Sequence, residues 1–507
     1  MSMDGTRPLD GSAGAGGSSF FHEVRRFGSH SAIYAAGTMA VRLVGFVLVP
    51  VYTKHLPRED YGVIGITALV TLAVTTIFSL GLMNSLFRLW PSARTSADRR
   101  RLLSTVMWAQ VVASAACMAI MLANPGWWAR ILLGSSAWGR YVVLAVGSGL
   151  LDMLTATPLG IVRMEERPAF YVGTMTVRTL VTTGVAIYLV AWRGAGVMGV
   201  LVANLVGLVV TVAMLLPMLA RRFRFLVDRA ALREMLPFGL WIMLSALAGL
   251  FLNMGDRYVL KYLLGLSAVG VYALGHQLAT TINLFGQSVI SAYLPMGLKR
   301  DITVDGGRFV TKALTYFAVG LVWVALPFSL LAPEIVHLLA RNPAYYPALA
   351  VVPPLVFAFV LYVLMLGAQI GFYFGGKAHY ATWATLVALV LNLALDFVLV
   401  PRVGIVGAAV AAAVAAVARF ALTYYWAQRV YPLPFEMGRM AAVLALAMAA
   451  HVTMLVPGPW WATAGVKLAA TAGFLPALWL FGFFRHDERS ALRRLVAGAL
   501  RRLTVWS

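Results

Sequence analysis

The stretch FLNMGDRYVLKYLLG, residues 251–265, sets Asp256 beside Arg257 in an apolar run. Arg42, Asp152, Arg178, Asp396 and Arg419 have similarly apolar surroundings. Within hydrocarbon, each such charge costs on the order of 3 kcal/mol at the centre of a span. Each therefore needs a partner or a task. An aspartate and an arginine on adjacent helices can neutralise one another. Asp152 with Arg178, and Asp396 with Arg419, have the spacing for such structural pairs, although the second pair is less well matched in depth. Asp256 and Arg257 do not pair as readily as their adjacency suggests, because neighbours on a helix point about 100° apart. One of them must face another element. Uncharged polar groups add Asn84, His276, Gln277 and Gln287 as candidates for sugar contacts, proton carriage or helix bridging.

The elements that carry these residues follow from composition. Of 507 residues, 61% are hydrophobic and 12% charged, with a mean hydropathy of +0.82. Soluble chains are nearer half apolar and a quarter charged. The sequence predicts an all-α integral membrane protein, since open strands cannot satisfy their backbone in lipid. About fourteen apolar spans of roughly 20 residues, the length that crosses the hydrocarbon, run from 31–52 to 460–484. The eighth, 266–297, is unusually long. Residues 1–30 read as a polar, disordered tail. The single cysteine, Cys117, excludes an intramolecular disulfide or a thiolate metal cluster. No cofactor or metal site is expected.

The net charge of +22 could suggest nucleic acid, but the basic residues are not gathered on one soluble face. They recur in RTSADRRR, RRFRFLVDRAALRE, LKRD and the tail. With both termini placed in the cytoplasm, most Lys and Arg fall on inner segments, a strong positive-inside bias. The tail at 485–507 alternates arginines with apolar residues at helical spacing, as a segment lying on an anionic leaflet would.

The chain also repeats. Gly270 follows Gly62 by 208 residues, and Leu264 follows Leu56, Gly404 follows Gly196 and Gly407 follows Gly199 at the same offset. Two six-span halves, 31–219 and 236–428, therefore read as a parallel repeat about an axis along the membrane normal. A basic linker, 220–235, joins them. Two extra spans occupy 429–484.

GFVLVPVYTKHLPREDYGVIGI and NLALDFVLVPRVGIVGAAVAAAVA resemble the first and the eleventh–twelfth hairpins of bacterial polysaccharide flippases. These form the O-antigen and exopolysaccharide branch of the multidrug/oligosaccharidyl-lipid/polysaccharide (MOP) transporter superfamily. The resemblance implies two six-helix lobes around a central cavity, working by alternating access. It implies a multi-pass protein of the bacterial inner membrane that moves an undecaprenyl-diphosphate-linked oligosaccharide from the inner to the outer leaflet. Membrane lipids, a coupling proton or sodium ion, and polymerase or export machinery are the implied partners.

The first and seventh helices line the cavity in this family, which sets Arg42 opposite Asp256 and Arg257. Arg42 and Arg257 then read as diphosphate ligands, with Asn84, Gln277 and Gln287 toward the sugars. Asp256 and His276 read as gating or coupling groups. A cation-coupled multidrug exporter and a peptidoglycan-precursor flippase of the same superfamily are the alternatives. An enzyme is not expected. Glu59 and Asp60 could serve a membrane glycosyltransferase, but no outer loop exceeds about 20 residues, the length of one span. Their place in a first helical turn, at the positive end of its dipole, accounts for them structurally.

Overall fold

A computed structural model describes residue 44 and residues 47–484, except 94, 166, 284, 288, 289, 291–303, 375, 376 and 378. Arg42, the polar N-terminal segment and the basic tail at 485–507 lie outside the described residues. Every regular element described is helical. In the first half these are α1 (Arg58–Phe78), α2 (Leu82–Leu89), α3 (Ser96–Ala123), α4 (Pro125–Leu133), α5 (Gly139–Met164), α6 (Pro168–Ile187) and α7 (Gly196–Arg222). The second half has α8 (Arg229–Met254), α9 (Asp256–Leu264), α10 (Leu266–Ala279), α11 (Val304–Leu330), α12 (Ala332–Leu339), α13 (Val352–Ala368), α14 (Ile370–Phe374), α15 (His379–Val403) and α16 (Ile405–Val430). The extra spans are α17 (Met437–Ala450) and α18 (Trp460–Leu480).

Twelve helices among the described residues are long and apolar enough to cross a membrane, and each falls on an expected span. The expected count of fourteen is not reached among these residues. Span 31–52 lies largely outside them, and span 266–297 is represented by α10 and short helical pieces after it. Below, ends are called inner and outer by the orientation that the basic residues favour.

The helices pack in two groups. In the first, α1 lies on α5, α5 on α7, and α6 on α7. In the second, α15 lies on α16, α16 on α13, α13 on α11, and α8 on α15. The extra helices α17 and α18 pack on α11. Lys467 of α18 pairs with Glu334 of α12 at 2.6 Å, and Trp323 of α11 donates to the Thr471 carbonyl at 3.1 Å. The linker runs along α3: the backbone N–H groups of Arg224 and Asp228 donate to Ser104 and Thr105 at 3.0 and 2.8 Å.

The groups meet at two places. At the outer end α1 packs on α10. A Cβ on Gly62 would fall 2.0 Å from the Leu266 carbonyl oxygen, and one on Gly270 would fall 2.0 Å from that of Arg58. Leu266 also follows Arg58 by 208 residues. Each glycine therefore touches the repeat mate of the residue that its own mate touches. Such reciprocity is the mark of an isologous, two-fold contact. At the inner end the expected single span 62–87 is broken. Leu80 and Gly81 both adopt positive φ, +50° and +61°, between α1 and α2. Gly239 of α8 packs on this break, and Ser85 donates to the Met235 carbonyl at 2.9 Å.

Candidate functional site

Span 7 is interrupted where its charges stand. The Gly255 N–H donates to the Phe251 carbonyl at 2.7 Å, but the next turn tightens, with the Tyr258 N–H donating to the Gly255 carbonyl at 2.9 Å. Asp256 therefore opens α9 as a new helix. Its carboxylate accepts from the Tyr272 hydroxyl of α10. Arg257 points elsewhere: Nη1 donates to the Gly65 carbonyl of α1 at 2.9 Å. The neighbours thus diverge, as helix geometry requires, and Arg257 bridges the two halves. Both are buried, Asp256 at 1% exposure and Arg257 at 5%. In this conformation Arg257 lines the interface between halves rather than an open cavity.

Asp256 also borders a cavity of about 50 Å³, shared with Asn253, His276, Phe359, Tyr362 and Arg419. His276 Nε2 lies 3.0 Å from the Asn253 carbonyl oxygen. A carbonyl only accepts, so that nitrogen carries the proton and Nδ1 faces the Thr280 hydroxyl at 3.3 Å. Asp396 lies on α15, which packs against α9, and it accepts from Asn392 at 3.1 Å. One oxygen each of Asp256, Asp396 and Asn392 has no donor. These orphans are all acceptors. Those three oxygens suit a proton or a hard cation, while Arg419 Nε, on the same cavity, is a donor with no acceptor.

The expected pairing of Asp396 with Arg419 is corrected. Arg419 donates to Thr385 at 2.8 Å and lies over the Tyr362 ring at 5.4 Å. Thr385 precedes Asp396 by eleven residues, about 16 Å along a helix at 1.5 Å per residue. The mismatch in depth separates acid from base. Asp152 and Arg178, by contrast, are in contact at 2.7 Å between α5 and α6. Both side chains are about a quarter exposed, and lipid would face what water does not. Removing one partner strands the other charge, whereas removing both relieves it. Asp152→Asn is expected to lower folded protein in membranes by roughly half or more, with Arg178→Gln partly restoring it. Fluorescence-detected size exclusion measures this. A double variant worse than either single one would exclude a structural pair.

The uncharged candidates scatter. Gln277 accepts from the Tyr61 hydroxyl at 2.9 Å, across the two halves. Gln287 is half-buried, and Asn84 is exposed on α2. The structure does not gather these three at one place with Arg257. Sequence reading missed Lys467 and Glu334, and also the hydrogen bond between Ser329 and His451 at 2.6 Å. A lysine seven residues into an apolar span was the available signal for the first. It missed Tyr272 as the partner of Asp256, although the spacing of 16 residues across one tight hairpin carries them to adjacent helices.

The fold is that of solved transporters of the MOP superfamily. A solved structure of the lipid II flippase MurJ in an inward closed conformation superposes with a TM-score of 0.72, covering 88% of this chain and 99% of that one at 11% identity. An inward-facing multidrug resistance MATE transporter of the MOP superfamily gives 0.61, covering 80% and 95% at 16% identity. At such identities the likeness concerns fold alone. A relative from Rhizobium meliloti (strain 1021), described as probable multidrug resistance protein NorM, is 30% identical over 205 residues. That match covers 36% of this chain and 41% of the relative, well under two thirds of its length. The profile of the polysaccharide biosynthesis protein family matches residues 28–298. The chain belongs to that family.

Proposed function

We propose that the protein is a flippase for an undecaprenyl-diphosphate-linked oligosaccharide, working by alternating access in the bacterial inner membrane with both termini in the cytoplasm. Arg257 carries this reading. A guanidinium with an unspent Nε, buried where the two halves meet, is suited to a mobile diphosphate and would repel a cationic drug. Arg42, which the family resemblance sets opposite Arg257, supplies a second positive charge. Asp256 and Asp396, with their unpaired oxygens, take the coupling cation or proton. His276 supports Asp256 as a neutral group. Asn84, Gln277 and Gln287 are left for the sugars in conformations where the halves separate.

The match to a multidrug resistance relative supports a second reading, export of cationic compounds through the same acids. One assay separates them. The purified protein in liposomes is expected to expose the lipid-linked oligosaccharide to an added glycosidase faster than protein-free vesicles do. It is expected not to drive a cationic dye. The reverse result would select the drug exporter. Losing a charged hydrogen-bonding group costs about 1.5–3 kcal/mol, roughly tenfold to a hundredfold. Arg42→Ala and Arg257→Ala are each expected to slow flipping by that factor. Lysine at either site should retain part, because a point charge replaces a fork. Unchanged flipping by the double alanine variant would remove the anion-binding role.

A further inference from the structure

We propose that the bond from Arg257 to the Gly65 carbonyl is a latch that holds the outer end closed, and that a diphosphate releases it by competing for the guanidinium. The second half rests on the substrate reading above.

Around the outer contact, Tyr61, Ile66 and Val70 of α1 share one buried apolar core with Val269, Tyr272 and Ala273 of α10. At Gly62 and Gly270 the backbones of α1 and α10 touch directly, with no room for a methyl group between them. Apolar packing is non-directional, so the polar bonds are what a charged ligand can compete for. Among those that reach between the halves at this end are Tyr61 to Gln277 at 2.9 Å, Tyr345 to the Leu56 carbonyl at 3.0 Å, Lys261 to the Ile131 and Leu132 carbonyls at 3.0 and 2.9 Å, and Arg257 to Gly65 at 2.9 Å. Of the two charged donors, Arg257 is the buried one and Lys261 is partly exposed.

The latch is built to reverse. Gly65 lies inside α1, so its carbonyl keeps a helical donor when the arginine leaves. A carbonyl oxygen has two lone pairs, and Arg257 uses the spare one. On the arginine side, Nε is buried and without a partner. The guanidinium is therefore underused where it rests. A phosphate adds a full opposite charge and a second oxygen for a bidentate fork, neither of which a single carbonyl offers. An arriving diphosphate offers more than Gly65 does. Differential binding of that kind is what lets a ligand shift a conformational equilibrium. A loaded carrier would open outward, and an emptied one would close again.

The test reads closure directly. Arg58→Cys and Leu266→Cys, at the repeat-related helix starts flanking the contact, are introduced with Cys117→Ser. A short bifunctional thiol reagent then reports closure in purified protein. The otherwise unaltered pair is expected to cross-link quickly, and inorganic pyrophosphate is expected to slow it severalfold. Arg257→Gln should cross-link severalfold more slowly without any ligand and ignore pyrophosphate. Arg257→Lys should fall between. If the glutamine variant does not fold, the lysine variant and the pyrophosphate titration carry the test. Unchanged cross-linking in a folded Arg257 variant overturns the latch. Pyrophosphate without effect on the arginine protein overturns the competition. Neither outcome depends on flipping, so failure of the latch and failure of the substrate reading appear in different assays.

Discussion

Gly62→Ala and Gly270→Ala are each expected to force the outer end apart and to slow transport by roughly tenfold to a hundredfold. The new methyl group would meet a carbonyl oxygen at 2.0 Å in both cases. Neither a backbone oxygen nor a helix start can give way as a flexible side chain does. Overpacking of a tight contact costs about 1–3 kcal/mol, and every 1.4 kcal/mol moves an equilibrium tenfold. A carrier must close this end once per cycle, so the strain falls on one state and not on the other. The two-fold contact adds a sharper expectation. Both methyl groups wedge the same pair of helices, so their effects should not add. Gly173, on α6, has nothing within 4 Å of its would-be Cβ and serves as control. Cross-linking of the outer end and flipping in liposomes check the result. Normal closure in Gly62→Ala, or independent effects in the double variant, would exclude the contact as the working gate.

The same contact shows what the sequence carries. The apolar runs determine most of the spans, because lipid leaves helices as the only option for an unpartnered segment. The offset of Gly62 and Gly270 was legible as a repeat. Their contact with each other was not, since a sequence records the period and not the axis. Asp152 and Arg178 could be paired on paper because they lie near the middle of consecutive spans. Asp396 and Arg419 failed because helix position sets depth at 1.5 Å per residue, and eleven residues are too many for side chains to bridge. The break at Leu80 and Gly81 left no proline to announce it. Leucine with positive φ is imposed by packing, in this case against Gly239. Arg257 shows the deepest limit. Its partner is a backbone carbonyl 192 residues away, and every residue type offers a carbonyl.

Asp256→Asn and Asp396→Asn are expected to abolish ion-driven flipping while leaving the protein as abundant as before. Asparagine keeps an oxygen that can accept from Tyr272 at position 256, and from Asn392 at position 396. Shape and these bonds are therefore retained, and the charge alone is lost. For a structural acid that loss would be costly. These acids, however, each hold an oxygen that no donor reaches. A buried charge short of partners destabilises its surroundings, so neutralising it is expected to leave stability unchanged or raise it. The cost should appear in transport instead. Removing a charged ligand of a cation or proton forfeits about 1.5–3 kcal/mol, roughly tenfold to a hundredfold in occupancy. Flipping under an imposed proton or sodium gradient should fall by that factor toward the rate without a gradient. The rate without a gradient should change little, because the asparagines leave Arg257 free to reach its ligand. Which of the two gradients drives the unaltered protein identifies the coupling ion. Full gradient response in both variants would remove the acids from coupling. A drop in abundance that matched the drop in transport would make them structural, with their unpaired oxygens then satisfied by water.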